Sequence, residues 1–264
     1  MTILVLGATG KTGRRVAATL GSAARPVSRS SALRFDWSDE STWDAALAGA
    51  TAVYLVPPAL NLEWAEVAAF LPRAAAAGVR RVVYLSARGI DPADRREAVV
   101  RESTVDWTIL RPTWFHQNFT EDFLLPMVLA DEVALPIGPG RHPFIDAQDI
   151  ADVAVAALTS DGHAGKVYEL SGPEALSFPE AVAQIAEASG RTIRVTDVPE
   201  GSFLETLVGF GISRDYAETL IGSLTAVRDG HDAHLSTGVQ DVLGHAPRSF
   251  ADYVKAAASS GAWA

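Results

Sequence analysis

The sequence predicts a fold of the α/β class, a parallel sheet covered by helices on both faces, followed by a smaller subdomain. Two observations carry this prediction. In the first half of the 264 residues, short β-branched runs alternate with longer alanine-rich stretches, which is the pattern of buried parallel strands joined by crossover helices. After Pro112 the alternation loosens, so the remaining chain is expected to fold differently.

The elements of the first half are expected in a regular order. Strands are predicted at Ile3–Leu6, Pro26–Ser28, Leu33–Asp36, Ala52–Val56, Arg81–Ser86 and Trp107–Leu110, and helices near Lys11–Leu20, Thr42–Leu47, Glu63–Ala77 and Asp94–Glu102. Because crossovers between parallel strands are almost always right-handed, this order predicts a doubly wound Rossmann sheet over residues 1–160.

The second half carries clear helix signals but few strands. Ser177 and Glu180 form a capping-box pattern, which predicts a helix to about Ser189 with Gly190 as its end. A strand is predicted at Ile193–Val198 and helices over Ser213–Val227 and Ser249–Ala258. So few strands cannot enclose a separate core. We therefore expect residues 161–264 to build a C-terminal subdomain on the substrate side of the sheet, within a single domain of residues 1–264.

Composition excludes several classes of protein. The chain has 22 Lys and Arg against 32 Asp and Glu, a net charge of −10, which disfavours binding to a phosphate backbone. The absence of cysteine excludes disulfides and thiolate metal sites. No apolar run approaches the roughly 20 residues of a membrane span, and the first residues lack a signal-peptide pattern. We expect a cytoplasmic protein with small-molecule partners and no nucleic-acid or membrane partner.

A glycine-rich loop follows the first predicted strand and opens the first helix. Gly7, Gly10 and Gly13 have the spacing Gly-x-x-Gly-x-x-Gly, with Thr9, Lys11 and Thr12 between them. A dinucleotide needs a tight turn, close backbone approach to its pyrophosphate and a helix N-terminus facing the anion. A nucleotide-triphosphate P-loop is excluded, because its first glycine would fall at Val5. These six residues are predicted to bind a dinucleotide.

The end of the second predicted strand favours NADP(H) over NAD(H). An NAD-specific site usually has an acid there for the ribose hydroxyls, whereas this segment is Val27-Ser28-Arg29-Ser30-Ser31. Arg29 can form a forked pair with a 2′-phosphate and Ser30 can donate to it, with Lys11 adding charge. A solvated arginine in a turn of serines is the structural alternative.

With these motifs in place, the chain resembles a known family. The glycine loop, the Ser28-Arg29-Ser30 segment, Phe35-Asp36-Trp37 and the stretch from Leu110 to Phe119 are similar to those of NmrA-like atypical short-chain dehydrogenases/reductases. Within that branch the chain is most similar to ergot-alkaloid reductases of the festuclavine synthase and agroclavine dehydrogenase type. The resemblance runs to about Gly190 and more loosely to the end.

The resemblance implies roles for further residues. Asp36 and Trp37 are expected near the adenine, Val56, Pro57 and Pro112 beside the cofactor, and Ser86 and Ala87 facing the nicotinamide, with Ser86 the candidate catalytic residue. Five residues are expected to line the substrate pocket: Trp114, Phe115, His116, Gln117 and Asn118. Core packing of Trp37 and Trp114, a rigid Pro57-Pro58 loop and a strand-end role for Ser86 are the structural alternatives.

The usual catalytic dyad of short-chain dehydrogenases is missing. That dyad is Tyr-x-x-x-Lys, and none of the five tyrosines here has lysine four residues later. Reduction of a ketone calls for a proton donor, whereas hydride transfer to an iminium yields a neutral amine without one. The sequence therefore favours an NADPH-dependent reductase of an iminium or similarly activated substrate. A non-catalytic NADP(H) sensor of the NmrA type remains open, as does a quinone or carbonyl reductase whose proton comes from Ser86, His116 or water.

Several other polar clusters have structural interpretations. His231 to His234 are expected to form a solvated turn rather than a metal site, since the spacing of a catalytic zinc motif is missing. Glu97 is assigned to the exposed face of its helix, where it can pair with Arg101, with contact between Glu97 or Glu102 and the substrate as the alternative. Asp149 is expected to cap a helix from Ile150, and His142 or Phe144 to touch the substrate.

Overall fold

The computed structural model describes residues 1–58, 64–89 and 94–264. The strands are β1 (Ile3–Val5), β2 (Ala24–Pro26), β3 (Ala52–Leu55), β4 (Arg81–Leu85), β5 (Asp106–Pro112), β6 (Glu132–Leu135), β7 (Arg141–His142), β8 (Lys166–Leu170), β9 (Leu176–Ser177) and β10 (Arg194–Asp197). The α-helices are α1 (Gly13–Leu20), α2 (Trp43–Leu47), α3 (Ala65–Ala76), α4 (Arg95–Arg101), α5 (Asn118–Glu121), α6 (Leu124–Leu129), α7 (Ala147–Thr159), α8 (Phe178–Ser189), α9 (Glu200–Gly209), α10 (Arg214–Arg228), α11 (Gly238–Leu243) and α12 (Phe250–Ser259).

One compact unit contains residues Met1–Pro112, Ala147–Leu170 and Thr237–His245. Its described strands form a six-stranded parallel sheet in the order β2-β1-β3-β4-β5-β8, which confirms the predicted Rossmann sheet. The strands β2 and β3 pair with opposite edges of β1, so the direction in which the chain adds strands reverses at β1. In such sheets, ligands bind at the carboxyl ends of the strands beside this reversal. Gly7 lies just after β1, and Val56 directly follows β3.

Four aromatic rings pack against one another in the core of this unit. Phe35, Trp43 and Phe70 are buried, and Trp37 packs against them with its ring centroid 5.3 Å from that of Phe70. Phe35 lies edge-on to Phe70 at 5.7 Å. Burying aromatic rings in such edge-to-face pairs stabilises the segment that leads from β2 to α2.

The six-stranded sheet differs from the strand predictions in three places, the first being β2, which is Ala24–Pro26 rather than Pro26–Ser28. Leu33–Asp36 is not a strand; Arg34 makes an isolated bridge to Ser28, and the carboxylate of Asp36 instead accepts hydrogen bonds from the backbone N–H and hydroxyl of Ser38, a turn that competes with a ladder. The edge strand β8 was not predicted. Its first two residues are exposed, so it lacks the apolar run of a strand buried on both faces.

The predicted helices of the first half are present with shortened ends. The expected helix over Glu63–Ala77 corresponds to α3, and the expected start at Glu63 lies outside the described residues. The α7 helix begins at Ala147, so Asp149 lies buried in its first turn rather than at the N-cap. The N-cap prediction was therefore wrong, although an acid in the first turn still favours the helix dipole.

The other compact unit contains residues Thr113–Asp146, Ser171–Ser236 and Ala246–Ala264. In it β6 pairs with β10 in parallel and β7 with β9 antiparallel. Its core includes the buried rings of Phe119, Phe144, Phe178 and Phe250. The capping box of Ser177 and Glu180 and the left-handed Gly190 at the end of α8 are present as predicted.

The boundary between the two units is not the one expected at residue 160. Residues Thr113–Asp146 belong to the second unit, whereas β8 and α11 belong to the first. The chain therefore crosses between the units several times, which hydrophobic periodicity does not reveal. A single domain over residues 1–264 stays a prediction. Among the described helices, none is both long enough and apolar enough to cross a bilayer.

Candidate functional site

The glycine loop is shaped by its own backbone. Gly7 has a φ of 63°, in the left-handed region that favours glycine, and the N–H of Gly10 donates to the carbonyl of Gly7 at 2.8 Å. A Cβ on Gly13 would lie 2.2 Å from that same carbonyl oxygen, so α1 can begin there only without a side chain. Thr9 and Gly10 are exposed at the tip of the loop.

The N-terminus of α1 suits an anion. Its first turn carries Arg14 and Arg15 and no acid, and the free N–H groups of a helix start favour negative charge. Lys11 is half-buried beside it, with its backbone carbonyl accepting from Arg15. Thr12 is buried beside the Tyr54 side chain, so its hydroxyl is the least accessible of the predicted loop contacts.

The segment after β2 presents a free cation. Within the described chain, the exposed side chain of Arg29 has no hydrogen-bond or ion-pair partner. Neighbouring serines bond to each other: Ser31 Oγ accepts from the N–H of Ser28 at 2.7 Å, and the hydroxyls of Ser28 and Ser30 lie 3.3 Å apart. Arg34, by contrast, pairs with Asp36 at 2.8 Å. Arg29 is thus the cation here that remains available to a phosphate.

Trp37 and Val56 meet at the chain reversal. The indole Nε1 of Trp37 donates to the carbonyl of Val56 at 3.1 Å, and the nearest atom to a Cβ on Gly7 would be Val56 Cβ, at 3.3 Å. Hydrogen bonds from Ser38 hold the pKa of Asp36 below its usual range, with Arg34 adding to them. The structure thus brings Gly7, Trp37 and Val56 together, with Pro57 next along the chain.

Ser86 directly follows β4 and belongs to a polar cluster that the sequence did not predict. Its hydroxyl donates to the carboxylate of Glu97 at 2.6 Å. Arg111 donates twice to the same carboxylate, through Nε at 2.8 Å and Nη2 at 2.7 Å, and Arg101 donates once at 2.6 Å. Ala87 is exposed next to Ser86, and the N–H of Arg88 donates to the carbonyl of Pro112 at 2.9 Å.

The placement of Glu97 on an exposed helix face was wrong. Its side chain has no solvent exposure, although the predicted pairing with Arg101 is present. Burial by itself would raise the pKa of Glu97, but hydrogen bonds from Arg111 and Ser86, and the charges of the two arginines, outweigh burial and lower the pKa. A periodic charge pattern on α4 could not reveal this, because Arg111 comes from β5.

The segment Trp114–Asn118 is fixed by backbone pairing in the second unit. The carbonyl of Trp114 accepts from the N–H of Ile145 at 2.9 Å, and the N–H of His116 donates to the carbonyl of Ile145 at 2.8 Å. The His116 ring is fully buried, with Nε2 at 3.0 Å from the carbonyl of Phe144. Gln117 is buried and donates to Asp146 at 3.0 Å. These two side chains therefore hold the segment.

The remaining members of the segment are partly exposed. Trp114, Phe115 and Asn118 each keep some accessible surface. The ring of Trp114 meets Phe123 and Phe178 edge-on, both at 6.0 Å between centroids. Trp114 thus packs against the core with part of its surface, and its contact with a substrate stays a prediction.

His142 orders the backbone of Trp114. Its Nε2 accepts from the N–H of Trp114 at 2.9 Å, so the proton of the neutral ring lies on Nδ1. A carboxylate oxygen of Asp232 lies 3.1 Å from that Nδ1. The prediction of a solvated turn at His231–His234 is therefore wrong for Asp232, whose carboxylate lies beside the buried ring of His142. Among the described residues no group of His, Asp and Glu side chains is arranged to hold a metal ion.

Comparison with known proteins identifies the family. Residues 7–161 match the NAD(P)H-binding family. The chain is 32% identical to festuclavine synthase I of Penicillium roqueforti, over 97% of this chain and 98% of that protein. It is 34% identical to a (4-alkanoyl-5-oxo-2,5-dihydrofuran-3-yl)methyl phosphate reductase of Streptomyces griseus, over 95% of this chain and 96% of that protein.

The chain belongs to the NAD(P)H-binding family. The resemblance to the ergot-alkaloid reductases is confirmed with it. A solved NADPH-dependent quinone oxidoreductase from Escherichia coli, in complex with NADPH, has the same fold: its TM-score is 0.82 at 23% identity, over 97% of this chain and 99% of that one. The protein is thus an NAD(P)H-dependent oxidoreductase of this family.

The residues of this NAD(P)H-binding protein fit a dinucleotide. The glycine loop is tightly packed, because a Cβ on Gly13 would collide with the backbone of Gly7 and a Cβ on Gly7 would touch Val56. The exposed side chain of Arg29 follows β2. The individual contacts expected of Thr9, Gly10, Lys11, Thr12, Ser30, Asp36, Pro57, Ser86, Ala87 and Pro112 stay predictions, as does the substrate contact of the Trp114–Asn118 segment.

Proposed function

We propose that this protein is an NADPH-dependent reductase of a small organic substrate that carries an electron-poor C=N unit, an iminium or imine. The observation that carries the proposal is the missing Tyr-x-x-x-Lys dyad in a member of an NAD(P)H-binding reductase family. When bound, NADPH supplies a hydride. An iminium, or an imine that has already taken a proton from water, becomes a neutral amine on accepting it, so the protein's task is to bind, orient and exclude water.

The buried tyrosines support this reaction class. Burial raises the pKa of Tyr54, against a smaller lowering by Thr12, and burial likewise raises the pKa of Tyr84. A phenol with a raised pKa gives up its proton less readily at neutral pH. Neither tyrosine therefore replaces the missing proton donor.

The preference for NADPH rests on Arg29. Its guanidinium is exposed and has no partner in the described chain, and a guanidinium matches the geometry of a phosphate with two parallel hydrogen bonds. The segment from Val27 to Ser31 lacks the acid that an NAD ribose would need.

The substrate preference rests on aromatic surface and on charge. Trp114 and Phe115 offer partly exposed rings, and an aromatic face attracts an organic cation. The net charge of −10 adds a field that favours a cationic substrate. The similarity to festuclavine synthase I supports the same class.

A second candidate is reduction of another activated acceptor. The 34% identity to a reductase of a dihydrofuran-based phosphate favours a polarised, non-nitrogen acceptor as the runner-up. The quinone or carbonyl reductase and the non-catalytic NADP(H) sensor are distinguished from both by the experiments below.

The first experiment is a calorimetric titration with NADPH and NADH. We expect NADPH to bind more tightly, and Arg29→Ala to weaken NADPH roughly tenfold while leaving NADH within about twofold. Arg34→Ala is the matched control, because it removes the same charge from the same segment but from a cation paired with Asp36 and Asp39. If both variants lost NADPH affinity equally, a specific contact between Arg29 and the 2′-phosphate would be contradicted.

The second experiment measures NADPH consumption with a cyclic imine, a quinone, a ketone and a conjugated unsaturated lactone. The proposal expects the imine to be turned over with the highest kcat/KM. A higher kcat/KM for the lactone would favour the runner-up, and for the quinone or ketone a carbonyl-type reductase. Tight NADPH binding with no turnover of any member would overturn the enzyme assignment in favour of a sensor.

A further inference from the structure

Ser86 stands where a bound dinucleotide is expected. It directly follows β4, and its N–H donates to the carbonyl of Leu110 in β5 at 2.8 Å. Its side chain is half-buried. Ligands of doubly wound sheets bind at the carboxyl ends of the strands, so Ser86 lies at the edge of the sheet where a cofactor is expected.

The direction of the Ser86 hydroxyl proton follows from its partner. The Glu97 carboxylate receives two hydrogen bonds from Arg111 and one from Arg101, and a guanidinium always donates and never accepts. Three such donors keep the carboxylate ionised, and an ionised carboxylate can only accept. Ser86 must therefore donate its single proton to Glu97.

A hydroxyl that has donated its proton can still accept through its lone pairs. Ser86 thus offers an acceptor and no donor to any ligand at the end of β4. A nicotinamide carboxamide carries N–H donors that suit such an acceptor, whereas the oxyanion formed in ketone reduction needs a donor.

We propose that Glu97 is a positioning residue, which orients Ser86 as a hydrogen-bond acceptor for the carboxamide N–H of bound NADPH. The inference rests on the proposed NADPH binding. It also removes Ser86 from the candidate proton donors, because the hydroxyl proton is committed to Glu97. Arg111 holds the carboxylate in place through two hydrogen bonds, and Arg101 adds a third bond that the contact between Glu97 and Ser86 does not require.

A purely structural role for the cluster is the competing explanation. Glu97 joins α4 to β5 through Arg111, and breaking a buried pair by removing one partner commonly destabilises a protein. A loss of stability in a Glu97 variant would therefore not separate the two explanations. The measurement must report on the carboxamide itself.

The test compares NADPH with its reduced acetylpyridine analogue, in which an acetyl group without N–H replaces the carboxamide. We expect the wild-type protein to bind NADPH roughly three- to tenfold more tightly than the analogue, as one hydrogen bond requires. Ser86→Ala and Glu97→Gln should each reduce this ratio to about one. The double variant Ser86→Ala/Glu97→Gln should be no worse than Ser86→Ala alone.

The matched control is Arg101→Gln. It removes one partner of the same carboxylate but leaves the bonds of Glu97 to Ser86 and Arg111, so the ratio should remain at the wild-type value. Glu97→Asp serves if Glu97→Gln does not fold, because it keeps the charge but shortens the side chain away from Ser86. Thermal denaturation of every variant records the structural contribution separately.

The outcomes separate this inference from the proposed function. Additive losses in the double variant, or a ratio unchanged by Ser86→Ala, would overturn the positioning role while NADPH binding stands. The positioning role would also be overturned if Arg101→Gln lowered the ratio of NADPH affinity to analogue affinity as far as Glu97→Gln does. The effect would then come from the net charge of the cluster and not from the contact between Glu97 and Ser86. Failure of the wild-type protein to bind NADPH would overturn the proposed function and this inference together.

Discussion

The Cβ that Gly13 lacks would lie 2.2 Å from the carbonyl oxygen of Gly7, whereas a Cβ on Gly10 would lie 3.2 Å from the same atom. The first distance is an overlap with backbone that cannot move aside without opening the loop. The second is a tight contact that a shift of a few tenths of an ångström relieves. Gly13 therefore permits the packing of α1 on the loop, and Gly10 is free to serve the approach of a ligand.

Alanine substitutions at these two glycines should have different effects. We expect Gly13→Ala to lower the free energy of unfolding by about 2 kcal/mol or more, through overpacking, and Gly10→Ala by less than about 1 kcal/mol. Gly10→Ala should nevertheless weaken NADPH roughly tenfold, because its methyl group occupies the exposed face of the loop. Thermal denaturation and calorimetric titration measure the two effects. A Gly10→Ala variant with native NADPH affinity would contradict a phosphate-binding role for the loop tip.

Trp114 should contribute to the binding of a cationic substrate through its aromatic face. Because a cation over an aromatic ring gains about 0.5–2 kcal/mol, Trp114→Leu should raise KM for a cationic imine roughly three- to tenfold. Trp114→Phe keeps a ring against Phe123 and Phe178 and should raise KM less. The NADPH dissociation constant, measured in the same variants, should not change. If the leucine and phenylalanine variants had equal KM values, bulk rather than ring-face attraction would explain the contribution of Trp114.

The capping box of α8 should make stability depend on pH in the acidic range. A hydrogen bond from Arg141 and one from the N–H of Ser177 lower the pKa of Glu180 from 4.5 to about 2. Since this pKa is lower in the folded state, the carboxylate stabilises the fold above about pH 4.5. That contribution is lost as the pH falls towards 2.

The measurement is Tm as a function of pH for the wild type and Glu180→Gln. The wild type should be the more stable at pH 5 and above, and the gap should close as the pH approaches 2. Glu187→Gln, which removes an exposed carboxylate from the same helix, controls for the change in net charge. A gap that stays constant from pH 6 to 2 would show that Glu180 does not titrate as described.

Much of the fold and part of the site could be predicted from short segments of sequence. Four of the six predicted strands of the first half lie where expected, the strand predicted at Pro26–Ser28 lies two residues earlier at Ala24–Pro26, and the one predicted at Leu33–Asp36 is absent because Asp36 bonds within its own turn. The glycine loop, the capping box of Ser177 and the ends of α8 depend on neighbours a few residues away, which periodicity and cap signals report directly. The cytoplasmic location and the absence of nucleic-acid partners stay predictions.

The candidate site beyond the loop could not be predicted in the same way. The burial of Glu97 depends on Arg111 in β5, and the role of His142 depends on the N–H of Trp114 and on Asp232. His116 and Gln117 were expected to face a substrate, but both side chains are buried against residues 144–146. In each of these pairs the two residues are far apart in the sequence, so no local sequence pattern indicates that they are in contact.

The sequence by itself determined the class of fold, the glycine loop after the first strand, the arginine that stands in place of an acid after the second strand and the absence of a Tyr-x-x-x-Lys dyad, because each is a property of residue types at short spacing. Only the tertiary structure decided which polar side chains are buried together. The hydroxyl of Ser86 acquires a direction, and the carboxylate of Glu97 acquires the guanidinium of Arg111 as a partner, because β4, α4 and β5 bring these groups to one point. A hydrogen bond is set by atoms within about 3 Å, and the fold alone places distant residues that close.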